Sequence, residues 1–162
     1  MKKLIASMLL IGLALCLTAT AEPAPKVGSE SPALQLTSLN GKLIKLESFR
    51  GEKKVILSFF ASWSESCRQE LEALREFQAN NAGSLEVLAV SFDKKARDLK
   101  NYAAKADLPF PILLDKKLSS IDTFQILILP TTFCISREGM IEKIFVDYDD
   151  NVKKAIEEWL KS

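Results

Sequence analysis

Cysteine is the side chain through which this protein could carry out redox chemistry. Of its three cysteines, Cys67 ends the polar segment Trp63-Ser64-Glu65-Ser66-Cys67 and Cys134 lies much later in the chain. A thiolate can attack a disulfide or a peroxide, but dithiol exchange needs a second thiol within reach. The chain has no histidine, which excludes histidine as a general base and as a metal ligand. We expect no metal and no cofactor.

The N-terminal residues have the pattern of a secretory signal peptide. Two lysines precede an apolar run at residues 4–17, and Ala19 and Ala21 supply the small residues of a cleavage site. The run is shorter than the roughly 20 residues that cross a bilayer, so we expect cleavage and no stable membrane span, with a retained anchor as the alternative. The predicted organisation is a signal peptide (1–21), an extended tether (22–26) and one domain (27–162), secreted across the inner membrane into the periplasm.

The chain that remains after cleavage has balanced charge. Loss of Lys2 and Lys3 takes the 22 basic residues to 20, against 21 acidic residues. This balance gives no reason to expect nucleic acid or an anionic membrane surface as a partner. Cys16 leaves with the signal peptide, and the two other cysteines would lie in a compartment that permits disulfides.

The elements that position Cys67 follow from hydrophobic periodicity. Residues 55–60 and 86–92 form short apolar runs typical of strands that are buried on both faces. Between them, Cys67, Leu71 and Leu74 recur at helical spacing, with charged residues on the other side. Strand, helix and strand in this order predict a right-handed crossover and a parallel pair.

The second half of the sequence predicts the rest of an α/β fold. A second helix starts at Asp93 or a neighbour, and Gly139 marks the turn of an antiparallel hairpin. An apolar stripe at residues 152–160 predicts a terminal helix that is capped near Asp150 or Asn151. With a short strand at 112–114 and a brief helix at 118–124, the prediction is a mixed β-sheet flanked by helices.

Four segments of the chain carry a family resemblance: Asn40-Gly41-Lys42, Phe59-Phe60-Ala61-Ser62-Trp63, Leu108-Pro109-Phe110-Pro111 and Leu129-Pro130-Thr131-Thr132-Phe133. Together they resemble the secreted thioredoxin-like proteins of the TlpA/ResA (redoxin, AhpC/TSA-related) type, over residues 27–160. The resemblance implies a thioredoxin-like fold, a cis bond before Pro130, and extracytoplasmic protein or peptide thiols and disulfides as partners. It also implies a groove for the partner formed by Trp63, Glu65, Pro130 and Thr131.

The resemblance fails at the attacking thiol, because Ser64 stands where the family has the first cysteine of its Cys-x-x-Cys motif. In the family, that cysteine lies at a helix N-terminus, which stabilises the thiolate, and the cysteine matching Cys67 resolves the mixed disulfide. A serine hydroxyl is not ionised near neutral pH and no base is evident to activate it. Disulfide reduction by two cysteines is therefore predicted to be impaired, although Ser64 and Cys67 remain the candidate catalytic positions.

The other titratable side chains leave alternatives open. Glu70 matches an acid found in some family members and would raise the pKa of Cys67, or it is a solvated acid in the first turn of the helix. Cys67 itself could be an inert cysteine that is half-buried under the helix start. Cys134 lies four residues beyond Pro130, roughly 13 Å along a strand, so we expect it to be a buried residue that does not pair with Cys67.

Three other functions fit the same residues. Ser64-Glu65-Ser66-Cys67 resembles the Thr/Ser-x-x-Cys of peroxiredoxins, which would make Cys67 a peroxide-reducing nucleophile, although Phe60 replaces the proline of those enzymes. A second function is a thioredoxin-fold module that binds peptides or an assembly partner without exchanging disulfides. The third is a deliberate cysteine-to-serine trap of an active reductase.

Overall fold

The computed structural model describes residues 24–162. The predicted signal peptide and the first two residues of the predicted tether lie outside this range. Within residues 24–162, no helix has the length and apolar character needed to cross a membrane.

Twelve short elements make up the described chain. The β-strands are β1 (Gln35–Thr37), β2 (Leu43–Lys45), β3 (Lys54–Phe60), β4 (Leu85–Ser91), β5 (Ile112–Leu114), β6 (Thr131–Ile135) and β7 (Ile141–Val146). The helices are α1 (Glu65–Asn80), α2 (Ala96–Ala106), α3 (Ser119–Phe124) and α4 (Asp150–Lys161), with a 3-10 turn at Leu46–Phe49.

The central sheet is mixed, as the sequence predicts. Its strands lie in the order β5-β4-β3-β6-β7. The strands β3, β4 and β5 are parallel, whereas β6 is antiparallel to both β3 and β7. The predicted crossover is present, with α1 connecting the parallel neighbours β3 and β4. Strand β3 is central, and its carboxyl end pairs with the amino end of β6, with Phe59 opposite Thr131, next to the start of α1.

Helices cover both faces of this sheet. On one face α1, α2 and α4 pack through an apolar cluster that includes Leu71, Leu74, Leu99 and Ile156. On the other face α3 and the β1–β2 pair pack over a second cluster built around Phe59, Phe124 and Phe133. Burial of this much apolar surface is the main force that holds the layers together. The arrangement is the predicted thioredoxin-like fold.

Three local features differ from the sequence-based expectation. The strands β1 and β2 form a separate antiparallel pair around Asn40 and Gly41, a region for which no strands were predicted. Helix α2 begins at Ala96 rather than at Asp93, because the Asp93 carboxylate accepts hydrogen bonds from Ser62 and Ser91 instead of capping the helix. The terminal helix is capped by Asp149, one residue before the expected position.

Candidate active site

The side chain of Ser64 caps helix α1. Its φ and ψ of −85° and 129° are those of an extended residue, and its Oγ accepts a hydrogen bond from the Cys67 N–H at 3.4 Å. Serine is among the best residues at this position because its oxygen satisfies an N–H that has no partner within the helix. Ser64 therefore acts as the N-cap of α1.

Cys67 lies one turn into α1 and is fully buried. Burial raises the pKa of its thiol above the ordinary value, although hydrogen bonding to Ser64 and the Ala61 backbone acts in the opposite direction. The carboxylates of Glu70 and Asp147 raise this pKa further. A thiol in this environment stays protonated at neutral pH, so it is a poor nucleophile. The sequence left open a half-buried Cys67, whereas in the structure Cys67 is completely buried.

Glu70 is a fully buried acid rather than a solvated one. Its two carboxyl oxygens accept hydrogen bonds of 2.6 Å from Ser58 Oγ on β3 and from Thr132 Oγ1 on β6. Ser58 and Thr132 are direct partners across the antiparallel β3–β6 pair, so the carboxyl group bridges two strands. Burial raises the pKa of Glu70 from 4.5 to about 7, and the two hydroxyl donors only partly offset it.

Asp147 connects the start of α1 to the loop that contains Pro130. The Ser66 hydroxyl donates to Asp147 Oδ1 at 2.5 Å, and the Asp147 N–H donates to the Pro130 carbonyl at 2.8 Å. The peptide bond between Leu129 and Pro130 is cis, and Asp147 has a φ of +66°. Hydrogen bonds from Ser66 and from the Tyr148 N–H hold the pKa of the exposed Asp147 below its usual range.

The predicted groove residues differ in their exposure. Trp63 is 73% exposed, which leaves its indole ring available to a partner. Glu65 is exposed and forms a hydrogen-bonded ion pair with Arg68, which also donates to the Ser62 carbonyl at 2.9 Å. Pro130 and Thr131 are buried, and Thr131 Oγ1 donates to the Ile128 carbonyl at 2.7 Å. The hydrogen bonds through Ser66 and Asp147 therefore bring the motif and the proline loop together.

Two site residues were missed by sequence reasoning. Asp147 follows β7 and Asp93 follows β4, and each binds the segment between Ala61 and Cys67 across a long sequence separation. Asp93 accepts from both the N–H and the hydroxyl of Ser62, at 3.0 and 2.7 Å. Their signal in the sequence is position, since each follows a strand whose carboxyl end lies at the edge of the sheet that carries the site.

The two cysteines of the described chain do not pair. Cys67 and Cys134 are both free and both buried. Burial raises the pKa of the Cys134 thiol far above its ordinary value. Within residues 24–162, no group of three or more cysteine, aspartate or glutamate side chains is arranged to hold a metal ion.

Comparisons with known proteins agree with this geometry. The model of the AhpC/TSA family matches residues 27–144. The thioredoxin-like protein YneN of Bacillus subtilis (strain 168) is 37% identical over 122 residues, which cover 74% of this chain and 71% of that protein. The thiol-disulfide oxidoreductase ResA of Bacillus thuringiensis subsp. konkukian is 33% identical over 144 residues, which cover 88% of this chain and 81% of that protein.

A solved structure extends the likeness to three dimensions. The crystal structure of a candidate thiol:disulfide interchange protein DsbE from Chlorobium tepidum superimposes with a TM-score of 0.79 at 28% identity, covering 85% of this chain and 96% of that chain. The chain therefore belongs to the AhpC/TSA family, within which it is a thioredoxin-fold relative of the ResA-like thiol-disulfide oxidoreductases.

Proposed function

We propose that this protein binds extended peptide or protein segments at the surface around Trp63 and Pro130 and does not carry out dithiol–disulfide exchange. The observation that carries the proposal is the position of Ser64. Its hydroxyl occupies the place of the attacking thiol and accepts the N–H of Cys67 as a helix cap. The scaffold for binding is retained, whereas the nucleophile is replaced by a structural group.

The chemistry of thiol–disulfide exchange supports the proposal that the protein does not carry out this reaction. Exchange requires one thiolate to attack the partner disulfide and a second thiol to release the mixed disulfide. In the described chain both cysteines are buried, and burial raises the pKa of each thiol. A serine hydroxyl forms no mixed disulfide, so the first step has no attacking group.

The exposed surface supports the proposal that the protein binds partner segments. Trp63 presents a large aromatic ring next to the capped helix, and aromatic side chains are enriched in binding surfaces. The proline loop is fixed to the start of α1 through Asp147, so both parts of the surface are held in place before a partner arrives. We propose that the partners are extracytoplasmic proteins or peptides and that the mature chain functions in the periplasm.

The peroxidase alternative has less support. It requires Cys67 as an accessible thiolate near neutral pH. Burial and the nearby carboxylates of Glu70 and Asp147 favour the protonated thiol instead. The Arg68 guanidinium pairs with Glu65 and donates to the Ser62 carbonyl, so these contacts, and not a Cys67 thiolate, occupy it.

Disulfide reduction in an insulin turbidity assay tests the proposal. The chain from Glu22 onward should show negligible turnover, and Ser64→Cys should raise it, because that substitution restores a thiol at the N-cap of α1. Gln69→Cys is the matched control, since it adds a thiol at an exposed position of α1 away from the cap. Turnover by the unsubstituted protein at the rate of Ser64→Cys would overturn the proposal.

A further inference from the structure

A groove lies between the β1–β2 pair and the carboxyl end of β5. Its volume is about 550 Å³, within the range of roughly 300–1,000 Å³ that is typical of ligand sites. Residues of the loop that follows β5 and the first residue of α2, Ala96, form one wall, and residues of β1 and β2 form the other. Ligands of α/β proteins commonly bind outside the carboxyl ends of parallel strands. We refer to this depression as the β1–β5 groove.

Leucine side chains give the β1–β5 groove an apolar lining. Leu36, Leu39 and Leu114 are half-buried, and Leu43 is 50% exposed. These side chains keep apolar surface in contact with water, and covering that surface is favourable. A partner with a bulky aliphatic side chain would therefore gain affinity here.

Three lysines border the same groove. Lys100 lies on α2, Lys116 and Lys117 follow β5, and all three are exposed. Within residues 24–162, the ion pairs are formed by other basic residues. Of the lining residues, Asp115 alone is acidic, but it is buried and its carboxylate accepts from the N–H and the hydroxyl of Ser120, at 2.7 and 2.6 Å. The lining therefore offers three ammonium groups to a partner and no accessible carboxylate.

The excess of positive charge extends beyond the lining residues. The two stretches of chain that supply them, residues 35–45 and 92–124, contain nine basic and five acidic residues, and no charged residue directly borders either stretch. The whole chain, by contrast, has 22 basic and 21 acidic residues. Among the five acidic residues, Asp93 is bound by two serines and Asp98 is paired with Arg97. Charge complementarity therefore favours a partner with negative charge.

Hydrogen bonds hold both walls of the groove in place. The Leu39 N–H donates to the Ile112 carbonyl at 2.9 Å, which ties the β1–β2 pair to β5. The turn that carries the two lysines after β5 is closed by a 3.1 Å bond from the Leu118 N–H to the Asp115 carbonyl. Because the walls are ordered before a partner arrives, binding loses less conformational entropy.

The concave shape of the groove distinguishes between anionic partners. A lipid surface is flat and would meet only the rim, where it cannot reach the leucines inside. A segment of protein can place one aliphatic side chain in the depression and carry glutamate or aspartate beside it. The shape and the charge together therefore favour a protein segment over a membrane.

We propose that the β1–β5 groove binds a segment of a partner protein in which a bulky aliphatic side chain neighbours glutamate or aspartate. The aliphatic side chain packs against Leu43 and Leu114, and the carboxylate pairs with Lys116 or Lys117. This inference goes beyond the proposed function, because it assigns a second surface whose lining does not include the residues around Trp63.

Fluorescence anisotropy with labelled peptides tests this inference. The probes are three short cysteine-free peptides with a central leucine–glutamate, leucine–lysine or serine–glutamate repeat. Covering the exposed part of an aliphatic side chain contributes about fivefold in affinity, and each exposed ion pair contributes up to about fivefold. The leucine–glutamate peptide should therefore bind most tightly, and its advantage over leucine–lysine should shrink at high salt.

Two variants locate the binding. Lys116→Gln combined with Lys117→Gln should remove most of the preference for glutamate over lysine, because glutamine keeps much of the stem and removes the charge. Leu43→Ser should weaken binding of the leucine–glutamate peptide about fivefold. Leu43 is half exposed, so the substitution removes little packing from the fold.

Each variant has a matched control outside the groove. Lys154→Gln combined with Lys161→Gln removes the same charge from exposed positions of α4. Val27→Ser changes an apolar side chain that is 59% exposed and lies before β1. Both controls should bind the leucine–glutamate peptide as the unsubstituted protein does.

The remaining outcomes would overturn the inference. Equal binding of all three peptides, or no binding of any, would show that the groove does not select an acidic, apolar segment. Co-sedimentation with vesicles of phosphatidylglycerol and phosphatidylcholine that the double lysine variant abolishes, without peptide binding, would assign the lysines to a membrane. Self-association that Leu43→Ser abolishes, again without peptide binding, would assign the groove to a second copy of the chain.

Discussion

Replacing Glu70 with glutamine should remove a pH dependence from the stability of this protein. Burial raises the pKa of Glu70 from 4.5 to about 7 in the folded chain, whereas an unfolded chain keeps the ordinary value. Between these two values the folded state binds a proton that the unfolded state has lost. The free energy of unfolding therefore falls as pH rises from about 4.5 to about 7, and then becomes level.

The size of this change follows from the same two pKa values. Each pKa unit corresponds to about 1.4 kcal/mol, so ionising Glu70 in the folded state costs on the order of 3 kcal/mol above pH 7. Glutamine has the shape of the protonated acid and can both donate to and accept from the hydroxyls of Ser58 and Thr132. Glu70→Gln should thus match the unsubstituted protein near pH 4.5 and exceed its stability above pH 7.

Urea unfolding followed by circular dichroism at pH values from about 4.5 to 8 measures the effect. Glu72→Gln is the matched control, because Glu72 lies on the same helix but is exposed, and it should keep the original slope. Asp115 and Asp147 have lowered pKa values in the folded state. Their contributions to stability are lost only as pH falls below about 4, outside the window. Parallel curves for the unsubstituted protein and Glu70→Gln would refute the reasoning.

Three further predictions concern the start and the core of α1. Cys67 should form sulfenic acid slowly under micromolar peroxide because its raised pKa keeps it protonated; dimedone labelling faster than that of an unfolded control would contradict this. Ser64→Ala should lower the free energy of unfolding by about 1 kcal/mol through loss of the cap, and an unchanged urea midpoint would show that the cap contributes nothing. Leu74→Ala should lower it by about 2–5 kcal/mol because Leu74 is fully buried; in the same assay, a loss below 1 kcal/mol would be inconsistent with the packing described.

The central strands and α1 could be predicted because their signals are local. The apolar runs correspond to β3 and β4, and Cys67, Leu71 and Leu74 lie on the buried face of α1 as their spacing indicates. The β1–β2 pair could not be predicted because each strand has three residues, too few to establish an alternating pattern. Asn40 and Gly41 were recognised only as part of a segment that resembles the family, and no turn was predicted there.

The site was harder to predict because its contacts are not local. The sequence left open whether Glu70 is solvated. Its burial depends on hydrogen bonds from the hydroxyls of Ser58 and Thr132, which lie on two different strands. Asp93 illustrates the same difficulty, since aspartate serves equally well as a helix cap and as a loop acceptor. Periodicity places side chains on faces, but it does not identify the partner across the sheet.

The position of Asp147 along the chain also determines when the site can form during synthesis. Asp147 joins Ser66 to the Pro130 carbonyl and is separated from Ser66 by 81 residues. A nascent chain that ends before this residue can pair β3 with β4 and fold α1, because those contacts are close in sequence. It cannot yet fix the proline loop against the helix. The binding surface is therefore a late product of folding, and a chain cut short within β7 would carry the Ser64 cap without a completed site.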